Sequence, residues 1–266
     1  MFVQNPSLVL VLYAVVLRPV LRYRLVMDAH NAGVYPSEGG SPMLQRLADW
    51  LLKRVDLVIV TNDGLAERVR AVGGRPFVLP DPLPDLAARR ELTQVLGELP
   101  ITGLFICTWA ADEPYFEVFK AAELLPDIRF LVTGNSKGRE IGYGSNVPRN
   151  VILTGYVPHE EYERLLTTCD FVLDLTTRQD CLVCGAYESV AVGTPFVLSD
   201  SKALRSYFRM GGTYVSNDAV GIANGIRALM NDYETYRAQI ARLKGLLESE
   251  WAGRKNALTE MLADFQ

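Results

Sequence analysis

The side chains best suited to chemistry in this chain are two carboxylates, Asp180 and Glu188, in the stretch DCLVCGAYESVAVGTPFVLS. The stretch predicts a loop that ends at Asp180, a tight turn at Gly185 and a helix that carries Glu188 in its first turn. The first N–H groups of a helix lack partners within it, and its positive dipole end attracts an anion. Because carboxylates accept hydrogen bonds from hydroxyls, this unit could hold a diphosphate flanked by sugar rings. The alternative is that both acids only cap the helix and favour its dipole.

The elements around these residues predict where they lie in the fold. The apolar segment FVLDL, 171–175, is a predicted strand that leads into the polar loop TTRQD, and FVLS, 196–199, is a second buried strand. Open α/β sheets bind ligands beyond the carboxyl ends of their strands. We therefore expect Asp180, Gly185 and Glu188 at a ligand-binding edge of a sheet.

The same stretch resembles the E-x7-E region of GT-B glycosyltransferases, in which an acidic residue and a Gly-Phe-Gly spacer precede a Glu, small residues, Gly-x-Pro and a strand. In that family the first acid contacts the transferred sugar and the second contacts the nucleotide ribose, which implies these roles for Asp180 and Glu188. Asp180 replaces the usual Glu, and CLVCGAY replaces the usual spacer. Glu188 followed by SVAVGTPFVLSD matches the pattern well.

Three further segments, QNP at 4–6, MDAHN at 27–31 and TWAADEP at 108–114, resemble segments of β-mannosyltransferases that act on lipid-linked chitobiose. The resemblance implies a histidine near the donor sugar or the acceptor hydroxyl, and His30 falls at that place. An imidazole titrates near neutrality and suits proton transfer. A loop histidine that only fixes the backbone explains His30 equally well, and His159 is predicted to begin a helix.

Further donor-binding residues follow from the resemblance. The helix start at Cys184, Gly185 and Ala186 would stabilise the leaving diphosphate. The strand-end turns at Gly134, Asn135 and Tyr156 would line the pocket for the nucleotide base. Many retaining relatives carry an Arg and a Lys-Gly after the first strand of the second domain, and CTWAADEPYFEVFK offers no such pair. Among Lys137, Arg139 and Arg178, we choose Arg178 as the cation for the diphosphate.

Composition excludes several other classes of protein. A net charge of −4 and a pI near 5.4 argue against a general nucleic-acid binder. The pair Cys181 and Cys184 lacks two further ligands at zinc-site spacing, and a thioredoxin-like context is absent. Reduced cysteines in a cytoplasmic protein are the simpler interpretation. We expect no metal and no cofactor beyond the substrate, a GDP- or UDP-linked sugar.

The apolar segment SLVLVLYAVVL, residues 7–17, is too short to span a bilayer, which takes about 20 residues. No positive residue precedes it and no small-residue cleavage site follows, so a signal peptide does not fit. The sequence predicts a buried helix between the strands MFVQ and RLVMDAH. A lipid-facing role for part of this helix, at the inner face of the membrane, stays open.

Strands and helices alternate along the chain, which is typical of parallel α/β layering. The resemblance implies two Rossmann-like domains, at 1–97 and 98–250, and a terminal helix at 251–266 that returns to the first domain. The tail YRAQIARLKGLLESEWAGRKNALTEMLADF predicts two amphipathic helices. About three βα units that precede MFVQNPS in such enzymes have no counterpart here. A fragment, a partner chain that supplies them and a minimal variant are the alternatives.

The predicted function is transfer of a hexosyl group from a nucleotide diphosphate sugar to an acceptor hydroxyl, in cell-surface or lipid-linked glycan synthesis. The mannosyltransferase resemblance favours inversion. The alternatives are a non-catalytic or split-enzyme subunit and, less well supported, a nucleotide-sugar epimerase. Those epimerases surround the sugar with several acids and histidines, whereas this chain has two histidines in total.

Overall fold

The computed structural model describes residues 1–5, 7–86, 100–136 and 147–264. The chain forms two compact units. Unit 1 contains residues 1–82, 180–182 and 249–266, and unit 2 contains residues 83–179 and 183–248. The predicted boundary between residues 97 and 98 lies outside the described residues, as do Pro6, Lys137 and Arg139.

Unit 1 holds a parallel sheet of four strands in the order β1-β2-β3-β4. Its strands are β1 Phe2–Asn5, β2 Val26–Ala29, β3 Leu57–Val60 and β4 Pro76–Val78. The helices between them are α1 Leu8–Leu21, α2 Asn31–Val34, α3 Pro42–Leu52 and α4 Asp63–Ala71, with a 3-10 turn at Pro36–Gly39. Side chains that accept a hydrogen bond from the first turn mark three of the starts: Ser7 for α1, Ser41 for α3 and Asn62 for α4.

Helix α1 was expected to be buried, and this prediction is wrong. Val11 and Ala14 are its buried residues, and they pack into the core of unit 1. The helix lies against the sheet along one side, so its remaining surface faces outward. Seven large apolar side chains on that surface are exposed: Val9, Leu10, Tyr13, Val16, Leu17, Val20 and Leu21. Among the described helices, none is both long and apolar enough to cross a membrane.

Unit 2 holds a parallel sheet of six strands in the order β10-β9-β8-β5-β6-β7. Its strands are β5 Thr102–Phe105, β6 Arg129–Thr133, β7 Val151–Gly155, β8 Phe171–Asp174, β9 Phe196–Ser199 and β10 Gly212–Val215. Its helices are α5 Tyr115–Glu123, α6 His159–Thr168, α7 Cys184–Val192, α8 Lys202–Tyr207 and α9 Ala219–Asn231. Separate apolar clusters contain Phe119 and Ile226 in one case and Leu166 and Val192 in the other. The predicted α/β class with Rossmann-like parallel sheets is confirmed.

The C-terminal segment forms one helix, α10 Tyr233–Ala263, where the sequence predicted two. Gly245 and Gly253 do not interrupt it, because strong helix formers surround both. Both glycines are exposed, and a β-carbon at either position would meet no atom within 4 Å. The last part of α10 belongs to unit 1, where Leu258 packs with Val26 and Leu57.

Candidate active site

The order of the strands in unit 2 creates a switch point between β5 and β8. From β5 the chain adds β6 and β7 on one side, and from β8 it adds β9 and β10 on the other. Ligands of open α/β sheets bind in the crevice at such a point, outside the carboxyl ends of the strands. The loops that follow β5 and β8 therefore define the candidate site.

The loop after β5 is folded around the carboxylate of Glu113. This carboxylate accepts hydrogen bonds from the backbone N–H of Thr108 at 2.9 Å, from that of Ala110 at 2.9 Å and from the Thr108 hydroxyl at 2.7 Å. The Cys107 thiol lies 3.2 Å from Glu113, and burial together with this charge raises the pKa of the thiol. Trp109 is buried with φ at +63°, a conformation that bulky residues rarely adopt. The cations usual in relatives are absent from this loop, as the sequence indicated, and an acid that no sequence pattern marked organises it.

Asp174, the last residue of β8, is a functional candidate that the sequence analysis missed. Its buried carboxylate accepts the backbone N–H of Gly185 at 2.7 Å, at the start of α7. Burial raises the pKa of Asp174 well above its usual value, the Gly185 hydrogen bond opposes this, and nearby Glu113 and Glu188 add to it. The signal was present in FVLD, where one acid ends an otherwise apolar strand.

Gly185 allows α7 to begin in close contact with β8. A β-carbon at this position would lie 2.5 Å from Ile106 Cδ1 and 2.6 Å from Asp174 Oδ2. The N–H of Gly185 is also the group that Asp174 binds. The carboxyl group of Asp174 therefore lies at the helix start where the sequence predicted an anion.

Glu188 lies on α7, but the prediction that it belongs to the first turn is wrong. The helix begins at Cys184, ahead of the predicted turn at Gly185, and Glu188 is its fifth residue. Its carboxylate accepts a hydrogen bond from the Tyr162 hydroxyl of α6 at 2.5 Å. Burial raises the pKa of Glu188, while the Tyr162 hydrogen bond and the charge of His159 lower it. His159 begins α6, as predicted.

The turns after β6 and β7 lie side by side, because these two strands pair. Gly134 has φ at +86° and donates its N–H to the carbonyl of Gly155 at 3.1 Å. A β-carbon on Gly134 would lie 2.1 Å from the carbonyl oxygen of Cys107, so no side chain fits there. Asn135 is exposed, and Tyr156 is 86% exposed. The structure thus brings the predicted base-pocket residues to adjacent strand ends.

His30 and Asp180 belong to unit 1. His30 Nε2 lies 3.7 Å from Asp28 Oδ1 and 3.9 Å from Asp81 Oδ1. Burial raises the pKa of Asp28, His30 lowers it, and the charge of Asp81 raises it. The residue after His30, Asn31, donates through its side chain to the backbone carbonyl of Asp180 at 3.2 Å.

Asp180 lies beside the first turn of α4 in unit 1. The Asn62 side chain donates to its backbone carbonyl at 3.1 Å. A β-carbon on Gly64, the second residue of α4, would lie 2.1 Å from Asp180 Oδ1. An acid near a helix start is what the capping alternative describes, although the helix is α4 and not α7. Asp180 groups with unit 1 and Glu188 with unit 2.

None of the four cysteines, all of which lie in the described ranges, forms a disulfide bond. Cys181 is half-buried and Cys184 is exposed. Within the described ranges, no group of three or more His, Cys, Asp or Glu side chains is arranged to hold a metal ion.

The profile of the family described as glycosyl transferases group 1 matches residues 110–244, half of the chain. HepE from Anabaena in complex with UDP-glucose has a similar fold, with a TM-score of 0.79, 16% identity, and coverage of 99% of this chain and 78% of HepE. For sucrose-phosphate synthase from Thermosynechococcus elongatus the TM-score is 0.79 and the identity 17%, over 99% of this chain and 73% of that enzyme. The pneumococcal O-GlcNAc transferase GtfA in complex with UDP and GlcNAc has a TM-score of 0.63 and 16% identity, and the match covers 90% of this chain and 53% of GtfA. No curated protein matches the sequence significantly. The matched segment contains the loop after β8, α7 and Glu188, and the chain is a member of the group 1 glycosyl transferases.

Proposed function

We propose that the chain transfers a hexosyl group from a nucleotide diphosphate sugar, with UDP as the favoured nucleotide, to an acceptor hydroxyl. The observation that carries the proposal is Glu188, half-buried on α7 and hydrogen-bonded to Tyr162, within the segment that matches the family. UDP is favoured because HepE and GtfA, which share the fold, have been crystallised with UDP or UDP-glucose.

The start of α7 would stabilise the leaving diphosphate through its positive dipole end, at Cys184, Gly185 and Ala186. Asp174 lies at this point, yet its raised pKa favours the neutral acid. A neutral carboxyl group does not cancel the positive end of the helix. No metal enters the proposed mechanism.

Glu188 would accept hydrogen bonds from the ribose hydroxyls of the donor. The Tyr162 hydroxyl fixes its orientation and favours its charged form, which is the better acceptor. The strand-end turns at Gly134, Asn135 and Tyr156 would receive the base.

In unit 1, His30 would exchange a proton with the acceptor hydroxyl and Asp180 would contact the sugar. Asp28 Oδ1 and Asp81 Oδ1 lie 3.7 Å and 3.9 Å from His30 Nε2, so two acidic groups lie beside the imidazole. Asn31, the residue after His30, is hydrogen-bonded to Asp180, which supports a shared site for His30 and Asp180.

The acceptor is proposed to be a lipid-linked or cell-surface glycan, and the chain to be cytoplasmic with contact to the inner face of a membrane. The exposed apolar surface of α1 supports such contact. Three arginines, Arg18, Arg22 and Arg24, lie at or just after the end of α1, and Arg18 and Arg24 share one acid, Asp56, so positive charge remains for an anionic lipid surface.

A split-enzyme or non-catalytic subunit is the second candidate. Among the described residues, β1 pairs with β2 and with no strand on its other side, while Phe2 is 61% exposed. An open strand edge of this kind is a surface to which a partner chain could add a strand.

Calorimetric titration of the purified chain with UDP, GDP and their sugar conjugates tests the donor site. We expect one nucleotide to bind, and Glu188→Ala to weaken it about tenfold to a hundredfold, because hydrogen bonds to a charged group contribute about 1.5–3 kcal/mol. Glu248→Ala, at an exposed position of α10, is the matched control and should bind as the wild type does. Absence of binding to every nucleotide would contradict the proposed function.

A further inference from the structure

A buried polar network joins the loop after β5 to the loop after β8 in unit 2. Asp112, from the first loop, accepts a hydrogen bond from the Thr176 hydroxyl at 2.6 Å through Oδ2. Its other carboxylate oxygen, Oδ1, lies 3.2 Å from Nη2 of Arg178. The backbone carbonyl of Asp112 accepts the N–H of Thr177 at 2.9 Å. Asp112 thus contacts three successive residues of the opposite loop, across the switch point.

The network continues to the ends of β9 and β10. The N–H of Thr176 donates to the Ser199 hydroxyl at 2.9 Å, and the Asn217 side chain donates to the Thr176 carbonyl at 2.9 Å. The Ser199 hydroxyl donates to Asn217 at 2.7 Å. Asp112, Thr176 and Ser199 are buried. Ser199 and Asn217 therefore fix Thr176, and through it they fix the position of Asp112.

Several acidic side chains lie at this edge. Burial is the main cause of the raised pKa of Asp174, and the nearby charges of Glu113, Glu188 and Asp112 add to it. A diphosphate would meet repulsion from those that are ionised unless a cation stood nearby. Asp112 holds the guanidinium of Arg178. Because the Arg178 side chain is 37% exposed, it also reaches solvent.

We propose that Asp112 is a positioning residue that orients Arg178 toward the diphosphate of the donor. This inference rests on the proposed function. The planar guanidinium can contact a carboxylate and a phosphate together, and fixing it in advance lowers the entropy lost on binding. Arg178 then supplies one cation to the diphosphate, where many retaining relatives have an Arg and a Lys-Gly pair, and Asp112 fixes its position.

The test is a double-mutant cycle of Asp112→Asn and Arg178→Gln, titrated calorimetrically with uridine, UMP and UDP, and with the guanosine series in parallel. We expect each single variant to weaken the diphosphate about tenfold, the monophosphate less, and the nucleoside not at all. The double variant should bind as Arg178→Gln does, because Asp112 acts through Arg178. Lys202→Gln, which removes an exposed charge at the start of α8, is the control and should leave all three affinities unchanged.

Two results would overturn this inference and leave the proposed function standing. One is an equal loss of affinity for nucleoside and diphosphate, which would mean that Asp112 and Arg178 only hold the two loops together. The other is losses of affinity that multiply in the double variant. Wild-type protein that binds neither UDP nor GDP would overturn the proposed function and this inference with it. Circular dichroism melting of each variant shows whether a loss of binding comes from unfolding.

Discussion

The chemistry of Asp174 is set strongly by its surroundings. Burial raises its pKa, so the folded protein holds this proton more tightly than the unfolded chain does, where the pKa is about 3.9. The stabilising contribution is complete below that ordinary value and is lost as the pH rises through the raised pKa. Asp174 therefore makes the protein less stable toward higher pH.

Asp174→Asn should remove this pH dependence, since an amide keeps the acceptor for Gly185 and cannot ionise. Urea unfolding across about pH 5 to 8 measures it. The free energy of unfolding of the wild type should fall relative to the variant by at most about 1.4 kcal/mol per pH unit. Asp232→Asn, at an exposed position, should follow the wild type. Parallel curves for wild type and Asp174→Asn would show that Asp174 does not titrate in this way.

At the scale of the element, α7 depends on a glycine at its second position. Gly185→Ala places a β-carbon against Ile106 and Asp174 and should cost about 1–3 kcal/mol of stability. Gly245→Ala is a matched control, because Gly245 is also helical but touches nothing and should gain up to about 1 kcal/mol. Chemical denaturation measures both. Equal changes in the two variants would mean that the close approach at Gly185 is not required.

Helix α1 allows a test of the proposed membrane contact. At about 100° per residue, its seven exposed apolar side chains fall within an arc of about 140°. Replacing Tyr13 and Val20 by serine should reduce sedimentation with phosphatidylglycerol vesicles at least about tenfold. Val220→Ser, an exposed apolar position on α9, is the control and should sediment like the wild type. If neither the wild type nor the variants sediment, a polypeptide partner is the better explanation for this surface.

At the scale of the molecule, the strands and helices that periodicity indicated are present. Their signals, alternating apolar segments and capping residues, lie within short stretches of the sequence. The exposure of α1 could not be derived in this way, since its apolar composition predicts burial on every side and the sheet covers only one. Asp112 was missed because its partners, such as Thr176, lie far along the chain and no local pattern marks it. Asp174 was missed although it is a single acid at the end of an apolar strand. Glu113 binds groups within its own loop, at Thr108 and Ala110, and no sequence pattern predicts the conformation of that loop.

Unit 1 is built from segments that are distant in the sequence, residues 1–82 and 249–266, whereas most of unit 2 is one continuous segment. Leu258 completes the apolar cluster of Val26, Leu57 and Ile59, so α10 is needed to cover this face of the first sheet. The main apolar core of unit 1 comes from residues 3–78, so during synthesis it can form early, while the face that Leu258 covers stays open until α10 has been made.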